Sequence, residues 1–441
     1  MMPRVVVAFA LASLLAACGL LAPLPAPAPP ASGAYEPGEL LVEFKEGTTP
    51  ARVHEVHKAV GATPLEEIVP GIWRSGVTAG KEAQTIPRFL AFPEVRFAEF
   101  NGRLHPNMWG AFRPARLPDR TAQLKPTDPR VFKDNPGLPA QWALRRIDLC
   151  KAESGECAAW DTYRGKGVRV AVIDTGVDFD HPDLKGNLLT GANFLEGKGL
   201  PADDFGHGTH VAGIIAAVAN NGKGIAGVAP EAQILPIRVL GVDGGNTAGL
   251  IQGLAFAIRN GAKVVNLSLG SAQTSEIEAR QMAQAIANDV VVVAAAGNEA
   301  LAGNPLEYPA AISGVISVAA TRPATDDVEV RFWEHAPFSN YNPFVTVAAP
   351  GVDILSTIPR RYFATTGNPD DDGNAYAYAS GTSMSAPVVS GLVALMLSAG
   401  IKPQEVRSRL VSGSQDIGDP GFDDYYGWGM INVRGALGTS P

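Results

Sequence analysis

The chain has 441 residues, of which 46% are apolar and 18% charged, so it can form two or three globular units with a sizeable core. Its formal net charge of -8, without an evident basic face, argues against broad nucleic-acid binding. The 48 glycines and 35 prolines favour many turns over long helices.

The first residues predict export. Arg4 precedes an apolar run, residues 5–15, that is too short to span a bilayer and is typical of a signal peptide ending at residue 17. Leu15-Ala16-Ala17-Cys18 also resembles the lipobox of bacterial lipoproteins, whose cysteine is acylated before cleavage. We therefore expect a secreted protein that is initially anchored to the cell envelope by a lipid on Cys18. An ordinary signal peptide with a chance cysteine is the alternative.

The other two cysteines, Cys150 and Cys157, lie close together in a chain bound for an oxidising compartment. This spacing favours a local disulfide. A metal site would need more ligands than this stretch offers, and two free thiols would be exposed to oxidation.

Three segments follow the signal peptide. Residues 18–34 are rich in proline and alanine and predict an extended tether. Residues 35–106 predict a small α+β domain, with a strand at 39–45, a helix at 50–60, a strand near Ile72 and a closing strand at 95–100. Residues 107–124 show no apolar period and predict a linker open to cleavage.

From residue 125 to the end, short β-branched runs alternate with helical segments. The predicted strands are 168–173, 234–239, 264–267 and 290–294, and the predicted helices include 209–219, 247–260 and 387–399. This alternation indicates an α/β domain of three layers, with a mostly parallel central sheet and helices on both faces. In such a sheet, functional groups lie at the carboxyl ends of strands and at the helix starts beyond them.

Three motifs stand at such positions. Asp174 ends a buried strand, His207 begins a helix between two glycines, and Ser383 begins another helix, with Pro387 placed in its first turn. A serine hydroxyl needs a base near its oxygen, and His207 can accept that proton and return it to a leaving amine. Asp174 would hold the imidazole in the useful tautomer.

A fourth motif supplies an amide donor. Asn298 leaves the end of the most β-branched run in a glycine turn. An oxyanion needs donors fixed in place before charge develops, and the Asn298 side chain with the Ser383 backbone N–H makes a natural pair.

These four motifs, in the order Asp, His, Asn, Ser, resemble those of the subtilisin-like serine peptidases (subtilases) over roughly residues 125–433. Residues 35–100 resemble the inhibitory propeptides of that family. The resemblance implies a subtilisin-like fold and a serine endopeptidase that forms an acyl-enzyme on Ser383. It further implies a self-processing zymogen, protein or peptide substrates, the chain's own propeptide as an intramolecular inhibitor, and a monomer.

The resemblance also places a substrate cleft. The strand containing Ser268, Leu269 and Gly270 would pair with extended substrate, which allows broad specificity. Together with Ala295, Ala296 and Gly297 it would wall the pocket for the side chain before the scissile bond. These small walls favour large apolar side chains, although Glu299 nearby could tolerate a basic one.

Calcium is the cofactor that the resemblance implies, as a structural ion in the manner of the thermitase-like branch, and no catalytic cofactor is expected. Its oxygen ligands would be the carboxylates of Asp128 and Asp183, the Asn221 amide and the carbonyls of Val218, Lys223 and Ile225. The Lys223 ammonium would then have to point away from the ion.

Other interpretations are weaker. His207 and His210 could suggest a zinc pair, but no HExxH glutamate accompanies them. A catalytically silent surface lipoprotein that binds peptides would not need all four motifs. A narrow processing peptidase would be favoured by an expanded acidic cleft, and the sequence shows no such cluster.

Overall fold

The computed structural model describes residues 33–115, 141–150, 157–195, 199–323, 333–360, 362 and 375–439. The predicted signal peptide, the lipidation residue Cys18, nearly all of the tether and the predicted calcium ligand Asp128 lie outside these residues.

The N-terminal unit is an antiparallel sheet covered by two helices. Its elements are β1 (Tyr35–Phe44), α1 (Pro50–Val60), β2 (Thr63–Val69), β3 (Ile72–Gly76), α2 (Glu82–Leu90) and β4 (Val95–Pro106). The strand order is β2-β3-β1-β4. Helix α1 has the bounds that the sequence predicts, whereas β2 and α2 were missed. Adjacent glutamates break the alternation of β2, and Pro87 lies inside α2.

The second unit carries the remaining elements. In chain order they are β5 (Trp109–Pro114), α3 (Trp142–Arg146), β6 (Arg169–Asp174), β7 (Ala192–Asn193), α4 (His207–Ala216), β8 (Gln233–Arg238), β9 (Leu240–Gly241), β10 (Gly244–Asn246), α5 (Thr247–Arg259), β11 (Val264–Leu267), β12 (Leu269–Gly270), α6 (Glu276–Ala287), β13 (Val291–Ala295), β14 (Ile316–Pro323), β15 (Trp333–His335), β16 (Val345–Pro350), β17 (Ile354–Thr357), β18 (Tyr376–Ser380), α7 (Thr382–Ser398), α8 (Pro403–Gly413) and α9 (Val433–Leu437).

The central sheet of this unit has the order β15-β14-β13-β11-β6-β8-β7, with β16 beside β14. Every pairing in it is parallel except that of β14 with β15. The sheet is therefore mostly parallel, as the sequence predicts.

Alternating residues of the buried strands pack against helices on opposite faces. Val170 and Val172 of β6 join the core formed with α4 and α7, whereas Ala171 and Ile173 join the core formed with α5 and α6. Both faces of the sheet are covered, which is why these strands read as continuous apolar runs. This is the three-layer α/β arrangement expected from the sequence.

A smaller sheet contains part of the segment that was predicted to be a linker. Strand β5 pairs antiparallel with β18, which pairs with β17. Residues 109–114 are therefore a strand and not an irregular linker, and residues 116–124 lie outside the described part. Only Phe112 of this strand is buried, so the sequence contains no apolar alternation to reveal it.

Cys150 and Cys157 form the disulfide that the sequence predicts. Among the described helices, no single one is long and apolar enough to cross a bilayer. Helices α7 and α8 taken together are long and apolar enough to span one, but the two helix axes are bent by 119° at the break between them.

Candidate active site

Asp174 and His207 meet at the carboxyl edge of the central sheet. Asp174 is the last residue of β6, and His207 is the first residue of α4. The Asp174 Oδ1 lies 2.7 Å from the His207 Nδ1 and also accepts from the Thr175 N–H at 2.7 Å. A carboxylate on Nδ1 orients the imidazole so that Nε2 is available for proton transfer.

Asp203, which the sequence analysis did not identify, stabilises the segments that carry Asp174 and His207. Its Oδ2 accepts from the Thr209 N–H at 2.9 Å and the Thr209 hydroxyl at 2.6 Å, at the start of α4. Its Oδ1 accepts from the Gly206 N–H at 2.8 Å and from the Thr175 hydroxyl, beside Asp174, at 2.8 Å. Burial raises the pKa of Asp203, and these hydrogen bonds oppose that rise. The position of Asp203 just before the start of α4 is the sequence signal that could have identified it.

Ser383 is the second residue of α7, a helix that begins at Thr382. Pro387 therefore lies in the second turn and not in the first, which corrects the sequence prediction. A proline there has no N–H for the Ser383 carbonyl four residues earlier. The Ser268 hydroxyl donates to that carbonyl instead, at 2.9 Å.

The Ser383 hydroxyl donates to the Ser268 carbonyl at 3.0 Å. The His207 Nε2 is buried and has no hydrogen-bond partner among the residues that the structure describes. The base and the hydroxyl are thus not joined in this state of the chain. Attack by this hydroxyl requires it to turn from the Ser268 carbonyl toward the His207 Nε2.

Asn298 is held so that its donor remains available. Its Oδ1 accepts from the Thr382 N–H at 2.9 Å and from the Thr382 hydroxyl at 3.0 Å. Its Nδ2 is buried and makes no hydrogen bond within the described chain. An amide fixed in this way, with a free N–H pair beside a serine nucleophile, is suited to stabilise an oxyanion.

Glu299 helps to fix the turn that carries Asn298. The Glu299 Oε2 accepts from the Asn298 N–H at 2.7 Å and from the Asn340 Nδ2 at 3.2 Å. The Glu299 N–H donates to the Asn340 Oδ1 at 2.6 Å. The carboxyl predicted to bind substrate is therefore engaged by its own turn and by Asn340 from a distant segment.

The end of β4 occupies the predicted substrate cleft. Leu269 and Gly270 of β12 pair antiparallel with Pro106 and His105. On the other side, β10 pairs with residues 103 and 104 of β4. The sequence predicts that Ser268, Leu269 and Gly270 pair with an extended segment, and in the structure they lie beside the extended end of β4. It missed β10, a run of two glycines and an asparagine without strand character.

The next residue, Asn107, contacts the nucleophile Ser383 through its backbone. The Asn107 N–H donates to the Ser268 carbonyl at 3.1 Å, and the Asn107 carbonyl accepts from the Ser383 N–H at 3.0 Å. The backbone of Gly381 lies against Asn107 and Met108, and a Cβ at Gly381 would overlap the Asn107 carbonyl. The Asn107 carbonyl thus meets one of the two proposed oxyanion donors.

The chain continues without interruption past Ser383. Trp109 pairs with Ser380 of β18, and its ring stacks on Phe338 with centroids 5.3 Å apart. The peptide bond between Asn107 and Met108 therefore lies at the nucleophile, with ordered strand pairing on both sides of it.

Two further groups of predicted residues have clear places. Ala295, Ala296 and Gly297 are buried at the end of β13, with the Gly297 N–H donating to the Thr382 hydroxyl at 3.2 Å. His210 is buried, with its Nε2 3.1 Å from the Ala377 carbonyl. Burial lowers the pKa of His210 to about 3, which suits the structural role expected for it.

The predicted calcium residues are partly assembled. Asp183 accepts from the Asn221 Nδ2 at 2.7 Å, the Ile225 N–H at 2.8 Å and the Tyr376 hydroxyl at 3.0 Å. Val218 joins the same loop by donating its N–H to the Asp183 carbonyl at 2.8 Å. The Asn221 Oδ1 accepts from the Lys223 N–H at 2.9 Å, so this amide would have to reverse to face its oxygen toward Asp183 and an ion.

The described residues therefore offer the type of oxygen that calcium prefers. The Asn221 side chain, however, directs its amide nitrogen and not its oxygen toward Asp183. The described residues contain no group of three or more His, Cys, Asp or Glu side chains that could hold a metal ion. Calcium here would therefore depend on backbone carbonyls and on Asp128, which lies outside the described part of the chain.

Comparisons with known proteins agree with this geometry. The subtilase family model matches residues 165–429, and a fervidolysin N-terminal prodomain model matches residues 22–101. A thermophilic serine proteinase from Bacillus sp. (strain AK1) is 35% identical over 410 residues, which is 92% of this chain and 88% of the relative. Thermitase from Thermoactinomyces vulgaris is 39% identical over 63% of this chain and 91% of its own.

One solved structure resembles nearly the whole chain. The crystal structure of fervidolysin from Fervidobacterium pennivorans, described as a keratinolytic enzyme related to subtilisin, has a TM-score of 0.77 and 30% identity. The match covers 93% of this chain but 62% of that one.

A serine, a histidine on an aspartate and a preset amide donor, at the edge of a parallel sheet, define a serine endopeptidase of the subtilisin-like fold. The chain belongs to the subtilase family, and it carries an N-terminal prodomain ahead of its protease domain.

Proposed function

We propose that this protein is a secreted serine endopeptidase that cuts its own precursor between Asn107 and Met108. The observation that carries the proposal is the hydrogen bond from the Ser383 N–H to the Asn107 carbonyl, at 3.0 Å. Strand pairing on both sides presents this bond in extended form, as a substrate would be presented.

Each functional side chain has a role in that reaction. The Ser383 oxygen attacks the Asn107 carbonyl carbon while His207 Nε2 takes the hydroxyl proton. The Ser383 N–H and the Asn298 Nδ2 stabilise the oxyanion, and Asp174 stabilises the charged imidazole. His207 then returns the proton to the Met108 nitrogen as the peptide bond breaks. Water hydrolyses the resulting ester between Asn107 and Ser383.

The prodomain is proposed to remain bound as an inhibitor after the cut. Glu99 of β4 accepts from the Glu276 N–H at 3.0 Å and the Ile277 N–H at 3.3 Å at the start of α6. The Asn101 Oδ1 accepts from the Ala248 N–H at 3.1 Å at the start of α5. Two helix N-termini of the protease domain are thereby satisfied by prodomain side chains, which supports tight binding.

Specificity for other substrates is proposed to be broad, because the cleft recognises extended backbone through β10 and β12. The small walls at Ala295, Ala296 and Gly297 support the acceptance of large apolar side chains before the scissile bond. Lipidation of Cys18 is also part of the proposal. Cutting after Asn107 would then break the covalent link between the anchor and the protease domain.

The test is mass spectrometry of the wild type and of Ser383→Ala after treatment with a fluorophosphonate probe. We expect an adduct on Ser383, a wild-type chain that begins at Met108, and a full-length mutant. A new N-terminus elsewhere would overturn the assignment of the scissile bond. No adduct on folded protein freed of its prodomain would overturn the enzymatic proposal and favour a silent peptide-binding lipoprotein.

A further inference from the structure

A buried asparagine lies in the middle of the central sheet. Asn266 is the third residue of β11, whose other residues are apolar, and it is fully buried. Strands β6 and β13 pair with β11 on its two sides at this residue. A polar side chain in such a strand is costly unless its donor and acceptor atoms are paired. The partners of Asn266 therefore decide what it contributes.

Asn266 connects the sheet to two points on helix α7. Its Oδ1 accepts from the Ser390 hydroxyl at 2.9 Å, and its Nδ2 donates to the Ser268 hydroxyl oxygen at 2.9 Å. The Ser268 hydroxyl in turn donates to the Ser383 carbonyl at 2.9 Å. Ser383 and Ser390 are about two helical turns apart, so they lie on the same face of α7. These four fully buried residues form one continuous chain of hydrogen bonds.

The direction of this chain is fixed by its last acceptor. The Ser383 carbonyl can only accept, and Pro387 has no N–H to donate to it, so the Ser268 hydroxyl gives its one proton there. The Ser268 oxygen can then only receive from Asn266, which turns the amide N–H toward Ser268 and the amide oxygen toward Ser390. Without the amide donor, the Ser268 hydroxyl is free to rotate away from the carbonyl.

We propose that Asn266 is a positioning residue for the nucleophile. Acting through Ser268, and anchored by Ser390, it holds the first turn of α7 in the place where the Ser383 hydroxyl can attack. The inference rests on the proposed function, because it takes Ser383 as the nucleophile. The rate of attack depends steeply on the placement of the reacting oxygen, since a misplacement of about 1 Å can cost about a hundredfold.

The test compares matured Asn266→Leu, Ser268→Ala, Ser390→Ala and the Asn266→Leu, Ser268→Ala double variant with the wild type. Leucine has a similar branched shape but no hydrogen-bonding group. One measurement is kcat and KM for a tetrapeptide p-nitroanilide, with active sites counted by fluorophosphonate titration. The other is the rate constant for reaction with that probe, which has no peptide backbone to pair with β12.

For Asn266→Leu we expect kcat and the probe rate constant to fall together by about tenfold, with KM nearly unchanged. Ser390→Ala should give a smaller loss of the same kind, about threefold, because Asn266 keeps its bond to Ser268. The double variant should be no slower than Ser268→Ala, because the effect of Asn266 passes through Ser268.

Thr346→Val is the control for a loss of stability alone. Thr346 is a buried residue of β16 in the same sheet, and its hydroxyl oxygen accepts from the Ser317 N–H at 3.2 Å. In the Ser383→Ala precursor, Thr346→Val and Asn266→Leu should both lower the free energy of unfolding. Only Asn266→Leu should lower kcat and the probe rate constant.

Three outcomes would overturn the inference and leave the proposed function intact. They are an Asn266→Leu enzyme with unchanged kcat and probe rate constant, additive losses in the double variant, and a rise in KM at constant kcat. If Asn266→Leu does not mature, Ser390→Ala and its combination with Ser268→Ala decide by the same criteria. A wild type that neither reacts with the probe nor cleaves the peptide would overturn the proposed function itself.

Discussion

Ser268 and Ser383 exchange hydrogen bonds. The Ser268 hydroxyl donates to the Ser383 carbonyl at 2.9 Å, and the Ser383 hydroxyl donates to the Ser268 carbonyl at 3.0 Å. The first bond satisfies the carbonyl that Pro387 leaves without its helical donor. The nucleophile's own turn therefore depends on a side chain from the substrate-binding strand.

Ser268→Ala should destabilise the protein by about 1–3 kcal/mol, because it leaves the buried Ser383 carbonyl without a donor. Pro387→Ala would restore a backbone N–H to that carbonyl, so the second change should cost less, or stabilise, in the Ser268→Ala background. Chemical denaturation of all four proteins, each carrying Ser383→Cys or Ser383→Ala to prevent autolysis, measures the coupling. Additive effects of the two changes would contradict this account.

Asn298→Ala should lower kcat by about 10²–10³-fold and leave KM nearly unchanged, because its Nδ2 acts on charge that develops only in the transition state. Conversion of the precursor should slow in parallel, as followed by gel electrophoresis. Ser385→Ala, a nearby hydroxyl that donates to the Ala349 carbonyl, is the control and should process normally. A rise in KM at constant kcat would assign Asn298 to substrate binding instead.

Two buried carboxyls lie where the prodomain meets the protease domain. Burial and the Glu99 charge raise the pKa of Glu278 to about 8, and burial raises the pKa of Glu99 to about 7 despite its hydrogen bonds to α6. Glu276, paired with Arg280 at 3.2 Å, adds to the rise at Glu99. The Glu278 Oε1 has no partner within the described residues. Separation would remove the Glu99 charge from Glu278 and uncover Glu99, so the pKa of each group is expected to fall toward its ordinary value of 4.5 when the prodomain leaves.

Because the complex binds more protons than its separated parts, raising the pH between about 4.5 and 8 should weaken prodomain binding, by at most roughly tenfold per pH unit for each group. Above about pH 8 no further change is expected. The inhibition constant of the separately added prodomain, measured from pH 5 to 9, checks this. Glu278→Gln should flatten the dependence, and Glu231→Gln should not. Binding that tightens with rising pH would contradict the assignment.

Calcium should raise the melting temperature of the Ser383→Ala precursor, and chelation should lower it, if the Asp183 loop binds the ion as we propose. A concentration of one hundred times Kd would add about 2.7 kcal/mol of stability. Asp183→Asn should remove the response to calcium, whereas Asp180→Asn, whose side chain is 83% exposed, should keep it. The response is the readout, because losing the hydrogen bonds of Asp183 lowers stability with or without the ion. An unchanged response in Asp183→Asn would exclude this loop.

Much of the site could be predicted from sequence because its parts are local. Asp174, His207, Asn298 and Ser383 each sit at a strand end or helix start that a few neighbouring residues specify. The alternation of buried strands with helices likewise specifies a two-sided parallel sheet, since both follow from short-range apolar patterns. The family, the fold class and the order of the functional side chains were therefore determined by the sequence alone.

The tertiary structure decided what depends on contacts between distant segments. Three such contacts join residues far apart in the chain. They are the pairing of β5 with β18, the hydrogen bond from Ser383 to Asn107 and the contact of the Glu307 side chain with Gly270. The bond from the Thr175 hydroxyl to Asp203 and the bond from the Ser268 hydroxyl to the Ser383 carbonyl appear only when their partners arrive from distant segments. Hydrogen bonds to backbone groups leave no apolar period in the sequence, so only the folded chain reveals them.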